Sequence, residues 1–281
     1  MRTILLLIGS LLLLALIAGT LFFLFSTARE DRAWAPEHSR TATAVVSEES
    51  VTIQNVRNWT YDSQAVLTQD WEDVSVYPNK IIRVWFLIEP FSQIKAIGHT
   101  FLSFEFEDGR VLSFSVEARR EADEKYSAVL GLFNAYELTY LWGEERDFVS
   151  RRLVHLAHPL RLYPLKLSTN QAKALFLSLI QETNELKERP RFYNTLTANC
   201  TNVLAQLINR HRPGTLPYDI AWNLPGYADL YLMEERLIKT SGTKEEARAA
   251  HDLTPYREDG AILASTTPEE FSRAIRTLLR N

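Results

Sequence analysis

The sequence predicts an α+β domain carried behind one N-terminal transmembrane helix. Three observations lead there. Ile4 to Phe25 is a run of 22 residues without a charge, long enough to cross a bilayer as a helix. β-Branched and aromatic segments dominate the part of the chain that follows. The second half carries the longer amphipathic helices, and segregated strands and helices point to α+β.

The apolar run is too long for a typical signal-peptide core, although Ser26-Thr27-Ala28 resembles a small-residue cleavage site. An uncleaved anchor over residues 1–28 is expected. Arg2 lies before the run and Arg29 and Arg32 after it, so flanking charge does not set its orientation. Residues 29–50 are polar and read as a linker. Residues 51–281 then form one domain, large enough for a full core.

Within it, Val51 to Asp73 shows signs of extended structure, and Ile81 to Ile88 is a β-branched and aromatic strand. Asp108-Gly109 separates two alternating runs, His99–Phe106 and Val111–Glu117, a hairpin signal. Alternation puts Thr100, Leu102, Phe104 and Phe106 on one face. It puts His99, Ser103 and Glu105 on the other, with Ser113, Ser115 and Glu117 of the return strand. Residues 117–152 are dense in charge around an apolar and aromatic stretch. They read as an ion-paired, solvated surface. The sharper alternative is that some of these arginines bind a phosphate or carboxylate of a substrate. A short strand is expected at Arg161–Leu165. Ser168 or Thr169 then caps a helix to Glu188. Helices are further expected from about Tyr227 to Lys239 and from the capping box Thr267-Pro268-Glu269-Glu270 to Arg280.

The net charge of −4 gives no reason to expect a nucleic-acid partner. No CxxC, HExxH or Gly-rich phosphate loop appears, so neither a metal nor a cofactor is expected. Chemistry concentrates instead on Cys200, the single cysteine in 281 residues. Apolar residues at 203, 204, 207 and 208 mark a helix that starts at or just after Cys200. Free backbone N–H groups and the helix dipole there favour a thiolate and an oxyanion. The alternative is a small buried hydrophobe. Of the histidines, His99 is the one rooted in an expected core strand, where it can be positioned rigidly. The alternative is a structural histidine. Cys–His catalysis needs a base oriented by a third polar group.

Three segments together resemble the Lnb N-terminal periplasmic domain family, named for a bacterial lipoprotein N-acyltransferase. They are Gly98-His99-Thr100-Phe101-Leu102-Ser103-Phe104, then Ser115 through Arg120 and Tyr126 to Asp147, and Phe192-Tyr193-Asn194-Thr195 through Asn199-Cys200-Thr201. The resemblance implies a circularly permuted papain-like domain of the NlpC/P60 and lecithin:retinol acyltransferase (LRAT) type. It implies Cys200 as nucleophile, His99 as base, and Glu117 or Ser115 as third group, Glu117 being preferred because a carboxylate stabilises an imidazolium. Asn199, Arg119 and Arg146 are expected to contact substrate. The expected activity is a thiol acyltransferase or hydrolase acting on a lipid or lipoprotein ester or amide, at the periplasmic face of the inner membrane. The family's namesake carries several membrane helices after this domain, whereas this chain has its apolar run before it. The rival readings are a cell-wall amidase or peptidase on the same dyad, and a non-catalytic envelope scaffold.

Overall fold

A computed structural model describes residues 26–211, 214–239 and 242–279, together with residues 10, 13, 14 and 19. The expected span at 4–25 lies outside these but for those four. Among the described residues no helix is long and apolar enough to cross a membrane.

The strands are β1 (Thr43–Val46), β2 (Val51–Tyr61), β3 (Val66–Val76), β4 (Ile81–Glu89), β5 (His99–Phe106), β6 (Val111–Arg119), β7 (Glu137–Glu144) and β8 (Arg161–Pro164). They join in one sheet ordered β1-β2-β7-β6-β5-β4-β8, with β3 paired to β2. The β2–β7 contact is parallel, through Arg57 opposite Gly143. The other pairings are antiparallel. The β5–β6 hairpin turns at Gly109, whose φ of 91° suits a residue without Cβ. Its register sets Phe101 opposite Ser115, and two pairs further on in that register Glu117 falls opposite His99.

The helices are α1 (Glu145–Ser150), α2 (Thr169–Glu188), α3 (Cys200–His211), α4 (Ala228–Glu234), α5 (Lys244–Ala250), α6 (Arg257–Leu263) and α7 (Pro268–Leu278). Ser168 closes a reciprocal capping box with Gln171 at the head of α2. α2 and α3 cover the sheet face that bears Leu102, Phe104 and Phe114, with Phe176 edge-on to Phe104 at 5.2 Å.

The opposite face was expected to be polar. It is instead roofed by α1 and α7, which bury a second cluster including Trp85, Leu87, Phe101, Phe148 and Phe271. Ser103 and Ser113 are fully buried there and hydrogen-bond to each other at 2.8 Å. The serines are tolerated inside because they satisfy one another.

Two further expectations are corrected. Residues 29–50 are not a free linker. Trp34 bridges Glu121, Pro36–His38 forms a 3-10 turn, and β1 extends the sheet. The charge-dense stretch to residue 152 is a solvated surface only in its first half: Asp123 and Lys125 are exposed, whereas Glu144, Glu145, Asp147 and Arg152 are buried. Asp147 is buried and accepts from Arg57 Nε and Nη2, both at 2.8 Å, and from Trp59 N and Tyr61 Oη. Glu145 is held likewise by Arg276 at 2.7 and 2.9 Å. Charge density alone does not report burial when each charge has a partner elsewhere in the chain. The helix expected at 227–239 stops at Glu234. Arg236 takes φ of 58° and Leu237 N–H closes onto Leu232 C=O, a left-handed stop supplied without glycine.

Candidate active site

Phe192 pairs with Glu137 at the start of β7, and Tyr193 N–H donates to Tyr136 C=O. Asn194 then folds the chain back, its side-chain oxygen accepting from Leu196 and Thr197 N–H. The segment is thereby delivered to the head of α3 in a fixed direction. Asn199 is the cap. Its Oδ1 accepts from the N–H groups of Thr201 (2.8 Å) and Asn202 (2.9 Å), while Asn202 Oδ1 accepts from Asn199 N–H at 2.8 Å. Asn199 Nδ2 donates to the carbonyls of Thr195 (2.8 Å) and Trp222 (3.1 Å). Cys200 follows as the first helical residue, 3% exposed. Among the described residues its own N–H has no hydrogen-bond acceptor.

His99 opens β5. Its Nε2 lies 2.7 Å from Ser115 Oγ and 3.2 Å from Glu117 Oε1. Ser115 Oγ donates to the same Glu117 oxygen at 2.7 Å. Nδ1 is the ring nitrogen left for Cys200, whose Sγ faces the same cavity and lies 3.9 Å from Thr201 Oγ1. Thr100 Oγ1 to Thr201 Oγ1, 3.1 Å, ties the strand to the helix beside them.

The electrostatics favour charge separation. Burial lowers the His99 pKa, but the Glu117 carboxylate and the Cys200 sulfur outweigh it and raise it to about 10. Burial raises the Cys200 pKa, but the His99 charge and hydrogen bonds from His99 and Thr100 bring it below the ordinary thiol value. Burial also opposes ionisation of Glu117, yet His99 and Arg152 hold it well below the usual carboxylate range. All three shifts run toward the charged forms: thiolate, imidazolium and carboxylate.

Of the residues expected at the site, Cys200, His99, Ser115, Glu117 and Asn199 come together. Arg119 and Arg146 do not line the cavity. Arg119 is buried under Trp34 and bound to Glu30 and to His38 C=O, and Arg146 donates to Asn58 and Thr266. Both hold the fold together.

Residues that sequence reasoning missed form an outer layer. Arg152 Nη2 donates to Glu117 at 3.1 Å and its Nε to Glu89 at 2.8 Å. Glu89 in turn meets His158 Nδ1 at 2.5 Å. Glu89 pairs directly with His99 across β4–β5. A carboxylate ending an apolar strand was the available signal. His38 comes from the supposed linker. Burial lowers its pKa to about 3, so the ring is neutral, and Nδ1 accepts from Arg120 N–H at 3.2 Å. These groups surround a cavity of about 230 Å³ that holds Cys200, His99 and Glu117, walled by Tyr126, Tyr193 and Phe91. A second, apolar cavity of about 110 Å³ lies behind Thr100 and Thr201. Among the described residues no group of three or more His, Cys, Asp or Glu side chains is arranged to hold a metal.

The fold and this cluster define an α+β domain that brings a cysteine at a helix N-terminus together with a histidine and a carboxylate in one cavity. Residues 67–224 match the family model for the Lnb N-terminal periplasmic domain, and the chain belongs to that family. The domain is thus an extracytoplasmic part of the bacterial envelope. The matched span includes His99, Ser115, Glu117, Asn199 and Cys200, and leaves out His38. No curated protein and no solved structure matches the chain significantly.

Proposed function

We propose that this domain is a thiol acyltransferase or hydrolase acting on a lipid or lipoprotein ester or amide, built as a circularly permuted papain-like unit and held at the inner membrane by residues 4–25. The observation that carries the reading is the Cys200–His99–Glu117 cluster with its raised imidazole and lowered thiol pKa. The histidine strand precedes the Asn199-Cys200 helix by about a hundred residues, the order the permutation requires.

The Cys200 thiolate attacks the substrate carbonyl carbon, forming a C–S bond. The oxyanion is held by the Cys200 N–H, since Asn199 already occupies those of Thr201 and Asn202. The tetrahedral adduct collapses, the bond to the alcohol or amine breaks, and imidazolium His99 gives that leaving group its proton. In the second half an amine or water attacks the thioester, His99 takes the proton, and the thiolate leaves. Glu117 and Ser115 hold Nε2 so that Nδ1 stays directed at sulfur. The apolar cavity behind Thr100 and Thr201, lined by Leu102, Leu175, Leu204 and Leu232, supports an acyl chain over a polar peptide as the group transferred.

The test is intact-mass analysis of the full chain after incubation with phospholipid vesicles. An acyl adduct on Cys200 that neutral hydroxylamine removes is expected, absent from Cys200→Ala and weakened in His99→Ala. An adduct that persists in Cys200→Ala overturns the assignment.

A further inference from the structure

We infer that the end of the sheet bearing the catalytic cavity is a membrane-docking face, and that its apolar loops seat in the lipid headgroup and upper acyl region so that the cavity opens onto the bilayer. β4 ends at Glu89, β5 starts at His99, β6 ends at Arg119 and β7 starts at Glu137, all at one end of the sheet. The loops there are 90–98 and 120–136. Beside them lie the 194–199 turn and, through the Trp222–Asn199 hydrogen bond, the 218–222 segment.

Those four segments expose Ile94, Leu130, Phe133, Leu196, Tyr218 and Ile220, each between 51% and 70% accessible. Scattered apolar side chains on a surface mean little, but several around one opening mark an interaction site. Thr195 ties two of the segments, donating from its N–H to Gly131 C=O and from Oγ1 to Ala128 C=O. Gly131 permits the approach, because a Cβ there would lie 2.4 Å from Thr195 Oγ1. Tyr126, at the base of the Leu130 loop, lines the catalytic cavity and contacts Tyr193 through its hydroxyl at 3.2 Å.

The chain itself names the occupant. The uncharged run ends at Phe25. The residues after it are fastened at this same end. Asn134 Nδ2 donates to Ser26 Oγ at 3.4 Å, Arg29 N–H donates to Glu137 at 3.2 Å, and Arg32 bonds Glu137 and Glu121 at 2.8 and 2.6 Å. Ser26, the residue that follows the apolar run in sequence, is therefore held beside Asn134, next to Phe133, so a bilayer that holds the run would lie against these loops. Exposed charge on the loops is mixed, with Lys95 and Lys125 against Asp123. The contact is thus apolar insertion rather than attraction to anionic lipid.

The inference deepens the lipid reading of the site but does not depend on the thiol chemistry. The experiment therefore uses full-length chain carrying Cys200→Ala, in vesicles of phosphatidylcholine alone. Single cysteines are placed at Leu130, Phe133 and Ile82, and each is spin-labelled. Ile82 is also exposed, but it sits seven residues back along β4 from Glu89, about 23 Å away. Labels at 130 and 133 should collide several-fold more with oxygen, relative to a water-soluble nickel chelate, than the label at 82. Labels at 130 and 133 as wet as that at 82 would overturn the docking face and point to a protein partner for these loops. Protein that fails to float with the vesicles, or a label at 82 that is equally dry, would overturn it too. The hydroxylamine-labile adduct on the unmutated chain reports separately on the chemistry.

Discussion

At the residue scale, one carboxylate governs two other groups. Glu117 raises His99, and protonated His99 lowers Cys200. Glu117→Gln should therefore move both in opposite directions, lowering the imidazole pKa and raising that of the thiol. The measurement is the alkylation rate of Cys200 against pH, unambiguous because the chain has one thiol. A free thiol with pKa about 8.5 is only about 1% ionised at pH 6.5. The native chain should react well above that limit at pH 6.5, lose the advantage in His99→Ala, and lose part of it in Glu117→Gln. Indifference of the rate to both changes would mark Cys200 as a packed core residue. Ser115→Ala should have a smaller effect than Glu117→Gln, because it removes a hydrogen bond but no charge. Asn199 has two duties at once. Asn199→Ala removes the cap of α3, a loss of about 0.5–2 kcal/mol for a typical cap, and also frees the Thr195 and Trp222 carbonyls. Urea unfolding should give a loss at or above the top of that range.

At the scale of elements, the hairpin and the helix that carry the dyad were both readable because each has local signals. Alternation and Asp108-Gly109 define β5–β6, and apolar spacing after Cys200 defines α3. Arg152, His158 and His38 were not readable, and Glu89 offered only a carboxylate at the end of an apolar strand. They come from the end of β4, the π-turn Arg151–His155, the loop after it and the N-terminal 3-10 turn, and no periodicity links these places. The same limit explains the misread charges. In Glu145-Arg146-Asp147 the sequence shows three charges, but not that Arg57 and Arg276 arrive from 90 and 131 positions away. Asp147 pins α1 to β2, so Asp147→Asn should break more than one contact. Removing one partner of a buried ion pair costs about 3–5 kcal/mol, and Arg57 would be left buried without its counter-charge. Thermal unfolding of Asp147→Asn should show a loss of this size. The double variant Asp147→Leu with Arg57→Met should lose less than Asp147→Asn alone, since no uncompensated charge remains.

At the scale of the whole molecule, the domain is a sheet roofed on both faces and open at one end, where charge is put to use. Elsewhere buried charge is a cost, and Glu144 shows it. Burial raises its pKa to about 8, opposed by Arg110, whose guanidinium is 3.7 Å away. Between the ordinary carboxylate value near 4.5 and about 8, the folded chain keeps a proton that the unfolded chain has lost. Stability therefore falls as pH rises through that window. His99 acts in the same sense at higher pH. Its stabilising charge is fully present below about 6.5 and disappears as pH climbs toward about 10. Cys200 acts in the opposite sense, since its lowered pKa contributes above the unfolded thiol value and is lost as pH falls. Glu144→Gln isolates the first of these. The variant lacks the ionisation that opposes folding, so its melting temperature should exceed that of the native chain at pH 8 and converge with it at pH 5. A gap that stays constant across that range would mean that Glu144 is already ionised and compensated, and that Arg110 outweighs the burial of its carboxylate.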